Sequence, residues 1–572
     1  MRDASFFTRP RPAWQRRYEA LRASFVERLP ARVVAERFGL TPAYVRLLRH
    51  QFLHGRLDFD EPVPAGRTSR RRVDAAVRRQ VIEWRQHQLS AGDIVELLHE
   101  AGTEISIRTI ERVLAEEGFP KLPRRTRLKL GLTVKGAVVP ERAAAVTVAE
   151  RAGRRFESAG AGVFLFAPLL AQLGLDEVVR RAGLPHTRDI PARSYLLAAL
   201  ALKLLGTERY AHVGDHAFDP GLGLFAGLNV MPKCTALSTY SYSLDAAHLL
   251  RLQQLFIQQA ARLGLYDGSV INLDFHTVPH YGDASVLETH WAGARGRRMK
   301  GALTLLAQDA ETKLLLYTAA DIRRAEASDQ VLEFLAFWRR VRRGVPPTLV
   351  FDARFTNQDN LAVLHRAGLR FITLRRRGER LLADLARQDD WRRIHIPHPK
   401  RKFPDPLIHE AQVSLRGYPG PIRQIAIKDN GHNQPALLIT NDQDSPAELI
   451  VGNYARRWRV ENGIAEAVKF FHLNALSSPI LIKVHFDLIL TLIADTLYSR
   501  LAQFLRGFEH CDAPTLHRHF VQGKGLVSIQ EGAIQVTYPR RAHNPILRAF
   551  PWERLPQQLP WLDGARLSLQ FQ

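Results

Sequence analysis

"GSVINLDFHTVPHYG", residues 268 to 282, is where the chain changes character. Before it, apolar blocks such as "YLLAALALKLLG" and "HLLRLQQLFIQQAARLGL" read as helices. Here Val270, Ile271 and Leu273 form a β-branched, apolar run that reads as a strand carrying Asp274 at its end. "KGALTLLAQDA" and "KLLLYTAADI" continue as an antiparallel meander, and "SDQVLEFLAFWRRVRRG" as a helix. A second apolar run, "PTLVFDARF", brings Asp352 to the end of a strand. Helix "NQDNLAVLHRAG" and strand "RFITLRR" then keep up an α/β alternation. From 375 to about 445 come short, Pro- and Gly-rich strand-like pieces, a β-rich insertion. "NDQDSPAELI" restarts a helix with Ser445 as N-cap, Pro446 first and Glu448 closing a capping box.

Just beyond lies "YARRWRVENGIAEAVKFFHLNALSS", residues 454 to 478. A helix turns about 100° per residue, so Tyr454, Arg457 and Glu461 fall on one stripe, with Glu461 about 20° from Tyr454. An exposed Arg457–Glu461 ion pair would account for that spacing. So would a helix that delivers one carboxylate to the two strand aspartates. Trp458 is either core or a base-stacking ring, and "HIPHPKRKF" (395 to 403) either a solvated basic loop or a DNA contact.

The N-terminal part reads differently. In "ARVVAERFGLTPAYVRLLRHQF" (31 to 52) a periodic helix turns at Gly39 and a second starts with Thr41 as N-cap and Pro42 first. This helix-turn-helix outline leaves Tyr44, Arg46, Arg49 and His50 on the second helix. After a Pro- and charge-rich linker, three helical segments separated by Ser90 and by 102 to 106 repeat the outline, with Arg108, Thr109 and Arg112 on the last helix. Arg70, Arg71 and Arg72 and the stretch "PKLPRRTRLKLGLTVKG" suit phosphate contacts.

Composition agrees with a polyanionic partner: 81 Lys and Arg against 57 Asp and Glu give a formal charge of +24. The most apolar stretch, "ILIKVHFDLILTLIADTLYSRL", carries Lys483, His485, Asp487 and Asp495 and reads as a buried helix, not a span, so no membrane partner is expected. The start lacks the apolar run of a signal peptide, and Cys234 and Cys511 are the only cysteines, which fits a reducing cytoplasm.

The ordered pattern of strand-Asp, strand-Asp, β-rich insertion and helix-Glu within Tyr-x2-Arg-x3-Glu resembles the DDE transposases of bacterial insertion sequences, over roughly residues 265 to 510. The resemblance implies an α/β RNase H-like catalytic core with a β-rich insertion, preceded by all-α helix-turn-helix DNA-binding modules. It implies Asp274, Asp352 and Glu461 as catalytic residues and ligands of two Mg²⁺ ions, with Mn²⁺ as the alternative metal. Tyr454 and Arg457 would then lie beside the DNA end. The family's lysine falls where this chain has Val468. Lys469 stands one residue later, about 80° around the helix from Glu461.

The expected partners are double-stranded DNA, both transposon ends and target DNA, and a second copy of the chain in a homodimer assembled on DNA at the bacterial nucleoid. The expected division is 1–56 and 72–120 as helix-turn-helix modules, 121–154 as basic linker, 155–265 as a helical segment packed on the core, 266–510 as the catalytic domain and 511–572 as a C-terminal region. Two other readings stay open. One is a catalytically inactive, transposase-derived DNA-binding protein, and the other a His/Asp metallohydrolase using His276, His280 and Asp283.

Overall fold

Apolar residues at helical spacing and well-formed caps build two small helical clusters in the N-terminal unit. The computed structural model describes residues 13–55, 57, 73–87, 89–119, 141–281, 287–293, 296–342, 347–396, 403–431, 433–475, 478 and 480–572. The chain divides into two units, 1–137 and 138–572. In the first, α1 (Ala13–Phe25), α2 (Ala31–Phe38) and α3 (Pro42–Leu53) enclose Ala20, Ala23, Val34, Ala35, Phe38 and Val45. Gly39, at φ +62°, closes α2, and the Thr41 hydroxyl accepts the Tyr44 N–H at 3.2 Å to open α3. α4 (Ala75–Gln86), α5 (Ala91–Glu100) and α6 (Ile107–Glu116) surround Val81, Ile94, Leu98, Ile110, Val113 and Leu114. Ser90 and Asp93 form a reciprocal capping box on α5, and Ser106 caps α6. Arg70 to Arg72 and the basic stretch from 120 to 136 lie outside the described residues.

The second unit holds two sheets. β1 (Arg155–Ser158) precedes the buried helix α7 (Ala192–Leu204) and α8 (Ala246–Arg262). Then come β2 (Val270–Pro279), β3 (Thr289–Ala292), β4 (Arg297–Asp309) and β5 (Leu315–Ala319), followed by α9 (Gln330–Val341), β6 (Thr348–Phe351), α10 (Gln358–Arg366) and β7 (Phe371–Leu374). The central order is β5-β4-β2-β6-β7. β4 runs antiparallel to β5 and β2, while β2, β6 and β7 are mutually parallel.

The segment from 375 to 445 contributes a helix, α11 (Glu379–Ala386), and β8 (Arg392–Arg393), β9 (Leu407–Ser414), β10 (Pro421–Lys428) and β11 (Ala436–Thr440). These strands extend the same sheet, because β11 pairs antiparallel with β7. The sheet therefore reaches ten strands. α12 (Ala447–Ala455), α13 (Trp458–Lys469) and the long α14 (Leu481–Phe504) complete this part.

Four sequence expectations change. Asp274 is not at the end of its strand: β2 runs on to Pro279 because β4 keeps pairing with it after β6 has stopped. The capping box at Ser445 does not form, since the Ser445 hydroxyl donates to Asp442 at 2.7 Å and Glu448 accepts from Arg392 at 2.8 Å. The mainly helical segment from 155 to 265 also carries a strand that the sequence does not mark. β1 pairs with β12 (Gly525–Gln530), which joins β13 (Ala533–Tyr538), β14 (Gln558–Leu559) and β15 (Ala565–Phe571) in a second sheet. Finally, Tyr454 and Glu461 are not on one helix, because the chain turns at Arg456 and Arg457 between α12 and α13.

Among the described residues no single helix is long and apolar enough to cross a membrane. α14 is buried in the core, and within it Asp487 pairs with the equally buried Lys203 of α7 at 2.7 Å.

Candidate functional site

The site begins with strand register. β2 and β6 are parallel, with Leu273 beside Phe351, so the next residue on each is an aspartate: Asp274 and Asp352 are neighbours just where β6 ends. Neighbouring residues in parallel register point to the same side of the sheet. The Asp274 carboxylate accepts the Phe275 N–H at 2.9 Å, and Asp352 accepts the Arg354 N–H at 2.8 Å.

α13 supplies the third carboxylate. It packs over β2 and β4 with Gly463 against the sheet, where a Cβ would stand 2.5 Å from Gln308 Nε2. Arg457, at the turn before α13, donates to Asp274 at 3.0 Å and to Glu461 at 2.8 Å, so one guanidinium joins a strand aspartate to the helix glutamate. The expected Arg457–Glu461 pair thus exists, but as half of a bridge. The Arg457 Nε is buried with no partner among the described residues. Tyr454 packs on the cluster of Val350, Ile372, Ile450 and Val451, 5.8 Å beneath the Arg457 guanidinium.

Charge is tightly coupled here. The Asp274 carboxyl stands raised to about 6, with burial the largest cause. Arg457 pulls it back, while Asp352 and Glu461 push it up, which puts all three carboxylates within electrostatic reach of one another. Burial works against the charge on Arg457, but Asp274, Tyr454, Glu461 and Asp352 outweigh it and raise its pKa. Burial also lifts the Tyr454 hydroxyl to about 12. Glu461 itself keeps 54% of its side chain exposed.

The other sequence candidates are distributed more widely. Lys469 is exposed at the far end of α13, about 12 Å along the axis from Glu461. His276 follows Asp274 on the same strand face, but its Nε2 is 2.7 Å from Asn474 Oδ1, and burial lowers its pKa. Asp283 lies outside the described residues, as do 397 to 402 of the basic loop and the side chain of Trp458. On α3, Tyr44 and Arg46 are exposed, whereas Arg49 lays its guanidinium 5.4 Å over the Phe25 ring. On α6, Arg108 is exposed. The Thr109 hydroxyl is engaged with Ser106 at 2.9 Å, and Arg112 pairs with Glu116 at 3.7 Å.

Sequence reading missed Arg354. It follows Asp352 by two residues and stacks 4.8 Å over Phe275, with its Nη2 3.4 Å from His290 Nδ1. Its position in "FDARF" was the available signal.

Residues 261–497 match the family model described as "Transposase DDE domain". The segment carrying Asp274, Asp352 and Glu461 is therefore a transposase domain of the DDE class. A solved cryo-EM structure of the piggyBac transposase synaptic complex with hairpin DNA is also similar, at TM-score 0.36 and 13% identity, over 62% of this chain and 79% of that one. None of the curated proteins matches this chain.

Proposed function

We propose that this transposase cuts DNA at the ends of a mobile element and joins the freed ends to target DNA, using Asp274, Asp352 and Glu461 as one catalytic cluster. The observation that carries the reading is the β2–β6 register that makes the two aspartates neighbours, together with the Arg457 bridge from Asp274 to Glu461. The strand order β5-β4-β2-β6-β7, with β4 running against the other four, supports an RNase H-like core.

Three carboxylates offer only hard oxygen donors, which suit Mg²⁺ or Mn²⁺ and not a thiolate-seeking metal. A crowded, partly buried Asp274 that resists ionisation at acid pH also suits a divalent cation. Asp274, Asp352 and Glu461 would hold the ions. When bound, a metal pair activates an attacking oxygen and stabilises the leaving one. Arg457 would keep Asp274 and Glu461 within one small arc, and Tyr454 would support that arginine from below.

In the reaction, water attacks an end phosphodiester and leaves a 3′-hydroxyl. That hydroxyl then displaces a target-strand 3′-oxygen, so no covalent protein intermediate is needed. The three-helix clusters of the N-terminal unit would act as helix-turn-helix modules on duplex ends, presenting Tyr44, Arg46 and Arg108. The net charge of +24 favours such a partner.

The test uses duplex DNA taken from the genomic boundaries of the gene. Asp274→Asn and Asp352→Asn should each abolish Mg²⁺-dependent cleavage while band-shift binding survives. Cleavage persisting in either variant removes that residue from the cluster.

A further inference from the structure

One step past Asp352 the surface opens into a groove of about 1030 Å³. Its lining includes six arginines: Arg298 on β4, Arg324 after β5, Arg354 after β6, Arg375 and Arg376 after β7, and Arg416 in the turn between β9 and β10. They are drawn from both the central strands and the inserted ones. Against them the lining carries one carboxylate, Asp359. Among the described residues none of the six forms an ion pair. Arg375 donates to Gln424 at 2.6 Å, and Arg354 meets a histidine. Like charges gathered in excess of counter-charge, six against one in the lining, raise the energy of the folded chain, and a polyanion relieves that cost.

The groove also has an aromatic lip. Trp291 on β3 lies directly across from Arg298, lines the groove and is 61% exposed. Guanidinia along a channel beside an exposed aromatic ring suit a single strand, whose phosphates meet the arginines and whose unstacked base lies on the ring. A duplex hides its base faces and gains nothing from Trp291.

Building on the function proposed above, we propose that this groove binds a single-stranded DNA segment leading away from the scissile phosphate, with a base stacked on Trp291 and phosphates held by Arg298, Arg376 and Arg416.

The full-length chain can be photocrosslinked to a single strand of about 12 nucleotides carrying 5-bromodeoxyuridine, with adducts mapped by peptide mass spectrometry. The expected result is an adduct on Trp291. It should fall at least about fivefold in the combined Arg298→Ala, Arg376→Ala, Arg416→Ala variant and return when the three are Lys, which keeps the phosphate charge. All three side chains are exposed, and circular dichroism verifies that the variant is folded. Unlabelled single strand should displace the probe better than duplex of equal length or polyglutamate.

Adducts confined to other regions, a Trp291 adduct indifferent to the arginines, or equal displacement by duplex or by polyglutamate would each overturn the proposal. Polyglutamate success would point to an acidic protein instead. The outcome is separable from that of the catalytic reading. If Asp352→Asn abolishes cleavage and no Trp291 adduct forms, only the groove assignment fails. If the adduct forms but cleavage ignores Asp352, only the catalytic assignment fails.

Discussion

Arg457 is the residue on which the site turns, because it satisfies two carboxylates that would otherwise repel. Removing it leaves a partly buried Asp274 beside Asp352 and Glu461 with no cation bonded to it, Arg354 acting only at longer range. Arg457→Ala should therefore cost about 1–3 kcal/mol of stability in denaturant unfolding, the penalty of an unpartnered buried polar group. Millimolar Mg²⁺ should raise the melting temperature of this variant more than that of the parent, since the ion supplies the missing charge. An equal response in both proteins would mean that the three carboxylates do not share a cation site. Asp274 and Asp352 were legible as residues because each follows an apolar, β-branched run. Their adjacency was not, since it depends on the register of β2 against β6, which no local pattern ties together.

At the scale of elements, α14 carries a second buried acid whose behaviour can be measured. Asp495 accepts the Leu315 N–H at 3.2 Å and faces a cavity of about 720 Å³ that it shares with Glu466. Burial, and then the neighbouring Glu466, push Asp495 up to about 7. An aspartate in the unfolded chain releases its proton near pH 4, so between about 4 and 7 the folded protein holds a proton that the unfolded chain has lost. Stability from this group is therefore greatest at low pH and declines as pH rises through 7. Asp495→Asn keeps the acceptor without the charge. It should melt about 2 °C or more above the parent near pH 8 and match it only below about pH 4. A variant less stable than the parent at pH 8 would show that the charged form is wanted.

The elements also mark where sequence reading stops. The three helices from 75 to 116 carry their caps in the sequence, at Asp74, Ser90 and Ser106. The break between α12 and α13 has no such mark. Arg456 and Arg457 are good helix formers, and they turn the chain where Arg456 reaches Glu311 and Arg457 reaches Asp274. Ser445 looked like a cap, but Asp442 captures its hydroxyl. β1 escaped notice because its partner, β12, comes from the far end of the chain.

For the whole molecule, the separation into units 1–137 and 138–572 lets the proposed end recognition and the proposed chemistry be tested apart. Deleting residues 1–137 should abolish preference for element-end sequence in competition band shifts, while weak, salt-sensitive binding by the remaining unit survives. Retained end preference would move recognition into the second unit. The central claim, that the helix carboxylate joins the two strand aspartates, has an internal control on α13. Glu466 lies five residues beyond Glu461 and turns away, its carboxylate accepting the Ala513 N–H at 2.8 Å. The decisive measurement is Mg²⁺-dependent cleavage of a pre-bound element end by Glu461→Gln and Glu466→Gln side by side. The account predicts that the first loses cleavage, by about 10³-fold or more, and that the second keeps most of it. Equal loss in both, or full activity in Glu461→Gln, would contradict it.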